Sequence, residues 1–142
     1  MRKAVILLAP LLMAQAEPKP LVPEGIHHDA KGPSTLCGIT GASALDVEQE
    51  VRATPTVRYA GESDKFVIFD AEGSEGLRQW VFSKPTYVAY SLATCRRAYP
   101  ENGMMMMQRD MRCEDTREDC DRAFLEFQSL DKEAVAAIRA QQ

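Results

Sequence analysis

Residues 92–113 read LATCRRAYPENGMMMMQRDMRC, and the fold turns on the pair in the middle, Asn102-Gly103. A type I′ turn needs positive φ at both central positions, and this residue pair accepts it at least cost, so the chain reverses there between two antiparallel strands. A two-residue loop sets Leu92 opposite Cys113 and Cys95 opposite Asp110. Side chains alternate along a strand, which puts Met105, Met107 and Met111 on one side with Cys113, while Met104 and Met106 leave by the other.

Working back from the hairpin, residues 87–97 read as the fourth strand of a series and the strand after the turn begins at Met104. Residues 77–83 place Trp80 and Phe82 on one face and Val81 on the other, and Pro85 ends that ladder because it has no amide hydrogen. Residues 66–69, Phe-Val-Ile-Phe, are apolar throughout and fit a central strand covered on both faces. Residues 56–60 supply the first strand, and turns fall at 61–64 and 71–76. Beyond the hairpin, Cys120, Ala123, Phe124, Phe127, Leu130, Ala134, Ala137 and Ile138 recur at three- and four-residue steps, predicting a helix over 116–140. Asp115 with Glu118 reads as its capping box, and Glu118, Asp119 and Asp121 suit the positive end of the helix dipole better than a calcium loop. The fold class is therefore α+β: a small antiparallel meander of about five strands with a C-terminal helix packed on one face.

Three stretches are expected along the chain. Residues 1–16 have Arg2 and Lys3 ahead of an apolar run and end in Ala14-Gln15-Ala16, the pattern of a secretory signal peptide. Its run is too short to span a bilayer, Pro10 interrupts it, and no further membrane segment follows. Residues 17–53 carry Pro18, Pro20, Pro23, Pro33 and several glycines and read as an extended leader with little regular structure, apart from a possible short helix over 42–51 capped by Ser43. Residues 54–142 form the α+β domain. Of the 142 residues, 17 are basic and 21 acidic, and the net charge of -4 argues against nucleic acid as a partner.

Four cysteines in an exported chain point to disulfides, with three possible connectivities. The hairpin register puts Cys95 and Cys113 on opposite faces, too far apart to bridge. Cys113 and Cys120 are separated by one reversal of direction, so they pair, and elimination leaves Cys37 with Cys95. No Cys-x-x-Cys is present to support redox catalysis.

Other candidate chemistry is sparse. The thioethers of Met105, Met107 and Met111 would suit Cu(I), with His27 and His28 as added donors, but alternation along a strand makes core filling the stronger reading. His27 and His28 are the only histidines and lie in the leader, away from any nucleophile. Asp70, Glu72 and Glu75 cluster in one turn and are the carboxylates that a hydrolase would use. No cofactor is implied.

Trp80, Phe82 and Pro85, followed by Met111, Cys113, Cys120, Phe124 and Phe127, form a Trp-x-Phe-x-x-Pro … Met-x-Cys-x6-Cys pattern. Over residues 56–130 this resembles an uncharacterised family of small exported bacterial proteins, and the resemblance implies the architecture and no activity. Cys37 and Cys95 lie outside it. The expected function is a periplasmic or secreted, non-enzymatic domain that binds an envelope protein or small ligand. The alternatives are a carboxylate hydrolase and a Met-rich copper protein.

Overall fold

The computed structural model describes residues 26–27, 32–74 and 76–141. In chain order these form strands β1 (Ile26–His27), β2 (Ser34–Leu36) and β3 (Ile39–Gly41) and helix α1 (Ala44–Ala53). Strands β4 (Arg58–Glu62), β5 (Phe66–Gly73), β6 (Gly76–Ser83), β7 (Leu92–Glu101) and β8 (Met104–Cys113) follow, and helix α2 (Arg117–Ala140) ends the chain. Strands β4 to β8 make a five-stranded antiparallel meander, so the class is α+β as the spacing of apolar runs implies. Strand β1 adds to its edge in parallel, pairing Ile26 with Met111 and His27 with Arg112.

The hairpin register is the one the Asn102-Gly103 turn dictates: Leu92 faces Cys113 and Cys95 faces Asp110. Both turn residues have positive φ, 51° and 77°. The same device closes β2 on β3, where Cys37 and Gly38 have φ of 48° and 86° between the partners Leu36 and Ile39.

Two apolar layers result, one on each face of the sheet. Val67, Phe69, Ala71, Trp80, Phe82, Ala93 and Cys95 project to one face and pack against Leu36 and against Ala44, Val47 and Val51 of α1. Val81, Leu92, Met111 and Cys113 project to the other and pack against Cys120, Ala123, Phe124 and Phe127 of α2. A disulfide ties each cover to its face: Cys37 to Cys95, and Cys113 to Cys120.

The leader differs from the sequence expectation. Its second half, 34–53, is regular and supplies one entire cover of the sheet. The short helix offered over 42–51 with Ser43 as its cap is present as α1, burying Ala44, Val47 and Val51 at helical spacing, whereas β2 and β3 were hidden by the prolines before residue 34 and by Gly38 and Gly41. The expected signal peptide, residues 1–16, lies outside the described residues.

Several boundaries also shift: β4 covers 58–62 instead of 56–60, β5 and β6 run through most of the turn expected at 71–76, and β7 continues to Glu101 instead of ending at 97. The fourth meander strand starts at Leu92 instead of residue 87, because Tyr87 N–H bonds back to Lys84 and Tyr90 N–H donates to the Asp115 carboxylate, away from the ladder. The cap of α2 is Thr116, whose hydroxyl oxygen accepts from Asp119 N–H at 3.2 Å while its hydrogen is donated to the Asp119 carboxylate. Asp115 instead accepts from the Thr116 and Tyr90 amides. Among the described residues, no helix is long and apolar enough to cross a membrane.

Candidate functional site: a cleft between the methionine strand and α2

Alternation along β8 sends Met105, Met107 and Arg109 to the face that α2 covers. The helix covers it incompletely. On α2 the fully buried positions among the described residues end at Phe127, and Leu130, which the apolar stripe would bury, is 48% exposed. Past that point the helix and the hairpin end of β8 enclose a cleft of about 430 Å³, walled by Met105, Met107, Phe124 and Val135. That volume lies within the roughly 300–1,000 Å³ of small-molecule sites.

One charged residue interrupts the apolar face of α2 where the cleft begins. Asp131 sits on the same helical face as Cys120, Phe124 and Phe127, where a hydrophobe would complete the core. Opposite it stands Arg109, whose side chain is only 6% exposed. The guanidinium grips the carboxylate with two short bonds, Nε to Oδ2 at 2.6 Å and Nη2 to Oδ1 at 2.7 Å. Arg109 also donates to the Thr94 hydroxyl at 2.9 Å and lies 4.7 Å from the centre of the Phe127 ring. Arg96 adds a longer contact to Asp131 at 3.4 Å. A paired, hydrogen-bonded charge can be buried where a bare one cannot, so this cluster bridges helix and strand at the edge of the core without leaving an orphan.

The cleft's other cations are unpaired. Lys132 and Arg139 line it and make no ion pair among the described residues. By contrast Arg52, Arg58, Arg112, Arg117 and Arg122 all pair with carboxylates. The wall is thus apolar with spare positive charge at its rim, a surface suited to a molecule with an apolar body and an acidic head.

The sequence candidates are dispersed. Met105 and Met107 line the cleft, whereas Met111 is fully buried beneath the first turns of α2. His27 takes part in β1 through its backbone, and His28 lies outside the described residues. Asp70 pairs with Arg58 at 3.3 Å, Glu72 is exposed, and Glu75 lies outside the described residues. Neither Asp70 nor Glu72 borders the cleft. Glu118 and Asp119 are both bound to Arg122, and Asp121 to Arg117.

Sequence reading missed Arg109, Asp131, Lys132 and Arg139. The one available signal was Asp131, a carboxylate at a core position of an otherwise apolar helical stripe.

One further group has a shifted affinity for its proton. Burial, and then the Glu126 carboxylate that accepts its hydroxyl hydrogen at 2.9 Å, hold the Tyr87 phenol well above its ordinary range. This bond staples the 84–91 connection to α2 and takes no part in the cleft. Neither a protein-family model, nor a curated protein, nor a solved structure matches the chain.

Proposed function

We propose that this is an exported binding module, periplasmic or secreted, whose cleft between β8 and α2 takes a small envelope ligand with an apolar chain and an acidic head. The carrying observation is the combination of Met105, Met107, Phe124 and Val135 along the wall with Lys132 and Arg139 at its rim, two cations that make no ion pair among the described residues. Methionine is an apt lining for such a ligand, since its unbranched thioether adapts to an alkyl chain. Export is supported by the signal-like residues 1–16, by two disulfides and by the resemblance to small exported bacterial proteins.

The test is a titration with dodecanoate, followed through the methyl resonances of ¹³C-methyl-methionine protein. The Met105 and Met107 signals should move saturably while exposed Met104 stays in place. Lys132→Glu with Arg139→Glu should weaken binding about tenfold or more by reversing the rim charge. Dodecanol binding as tightly as dodecanoate, or no shift of Met105 and Met107, overturns the reading.

A Cu(I) site is the second reading, favoured by two thioethers on one cleft wall. It requires Met105→Leu with Met107→Leu to abolish Cu(I) binding, and fails if that double variant binds Cu(I) unchanged.

A further inference from the structure

The opposite face of the sheet carries a second, smaller cleft of about 220 Å³, beside the Cys37-Gly38 turn and bordered by Arg78, Arg97, Gln108 and Asp110. Arg78 of β6 and Arg97 of β7 are direct cross-strand partners, and Gln108 of β8 continues the same row. Like charges placed opposite each other on neighbouring strands repel. Neither arginine makes an ion pair among the described residues, although the Asp110 carboxylate borders the same recess. Each guanidinium is instead laid over an aromatic ring two residues along its own strand, Arg78 over Trp80 at 5.4 Å and Arg97 over Tyr99 at 5.0 Å.

Their hydrogen bonds are few and long. Arg78 Nη1 donates to the Cys37 carbonyl at 3.3 Å, and Arg97 Nη2 donates to the Gln108 side-chain oxygen at 3.4 Å. The Arg78 Nε–H is buried and has no acceptor. A buried charged donor left unmatched is costly, and it stands in a recess already fitted with a second guanidinium. The remaining wall residue, Asp110, is an acceptor with no side-chain partner among the described residues.

We propose that this recess is a second binding site, for a small molecule whose oxyanion, a phosphate or carboxylate, bridges Arg78 and Arg97 while a hydroxyl or amino group reaches Asp110. A planar guanidinium matches the paired oxygens of either oxyanion. An anion seated between the two guanidiniums cancels the cross-strand repulsion. This site lies on the face away from the α2 cleft and stands or falls independently of it.

The full mature chain is titrated at low ionic strength with inorganic phosphate and, separately, with O-phosphoethanolamine, which adds an amine. Two signals report: the Arg78 Nε–Hε resonance, and the fluorescence of Trp80, the only tryptophan, on which Arg78 is stacked. Both ligands should shift both signals saturably, with phosphoethanolamine the tighter. Arg97→Gln should weaken both by about fivefold or more, because one of two charge-assisted partners is lost. Asp110→Asn should erase the advantage of the amine. Arg58→Gln, on the far strand β4, is the control and should change nothing. No saturable shift, equal binding by Arg97→Gln, or equal weakening by Arg58→Gln overturns the proposal; the thermal stability of Arg97→Gln, read alongside, shows that the variant is folded.

Discussion

Tyr87 shows how a single side chain couples local burial to the stability of the whole. Its hydroxyl donates to Glu126, and in the folded protein it holds its proton to higher pH than in the unfolded chain, where a tyrosine ionises near pH 10. The stabilisation is therefore fully present below about pH 10 and is lost as pH rises from there, since the unfolded state releases its proton first. Urea midpoints measured across the alkaline range should fall more steeply for the native protein than for Tyr87→Phe. Parallel curves would show that this proton contributes nothing. Arg112 is the other decisive residue. Buried on β8, it donates to the Gly32 carbonyl at 2.7 Å and to Ser34 Oγ at 2.9 Å, and it pairs with Glu114. Glu114 in turn accepts from the Ala44 amide at the start of α1. One guanidinium so joins the leader, the last strand and the first helix.

Among elements, α2 is two helices in one. Its first turns are core, with Cys120, Ala123, Phe124 and Phe127 buried against the sheet; its last turns stand off and form the cleft. The changeover is the Arg109–Asp131 pair. Removing one partner of a buried pair strands the other charge, so Asp131→Asn should cost about 3–5 kcal/mol in urea unfolding, while Arg109→Met with Asp131→Leu should recover most of it. If Asp131→Asn is neutral, the pair is not what bridges helix and strand. The strands were legible in advance because a period of two and the Asn102-Gly103 turn specify faces and register together. The helical stripe past Phe127 was misread for a physical reason: periodicity reports which residues share a face, and not whether a partner surface exists along the helix's full length.

At the scale of the molecule, the sheet is the middle of three layers, and each outer layer is pinned by its own disulfide. Cys37–Cys95 closes a span of 58 residues and Cys113–Cys120 one of 7. In the loop-entropy picture, Cys37→Ala with Cys95→Ala should cost about 4 kcal/mol and Cys113→Ala with Cys120→Ala about 2.5 kcal/mol. Thermal or urea unfolding of the two double variants checks the order, and a larger loss from the short loop would mean that local packing around Cys113–Cys120 outweighs chain entropy. Hairpin parity excluded only Cys95 with Cys113, since those residues point to opposite sides of the sheet; the single reversal between Cys113 and Cys120 chose that pair, and elimination left Cys37 with Cys95. By itself the amino-acid sequence determined what depends on near neighbours: the reversal at Asn102-Gly103, the alternation of faces, the Ser43 cap of α1 and the pairing of cysteines. Only the tertiary structure decided that residues 34–53 cover a face of the sheet, that Arg109 meets Asp131 and Arg112 meets Gly32, and that two clefts stay open. Such contacts join positions 22 to 80 residues apart, and they exist only where packed layers bring those side chains within a few ångströms.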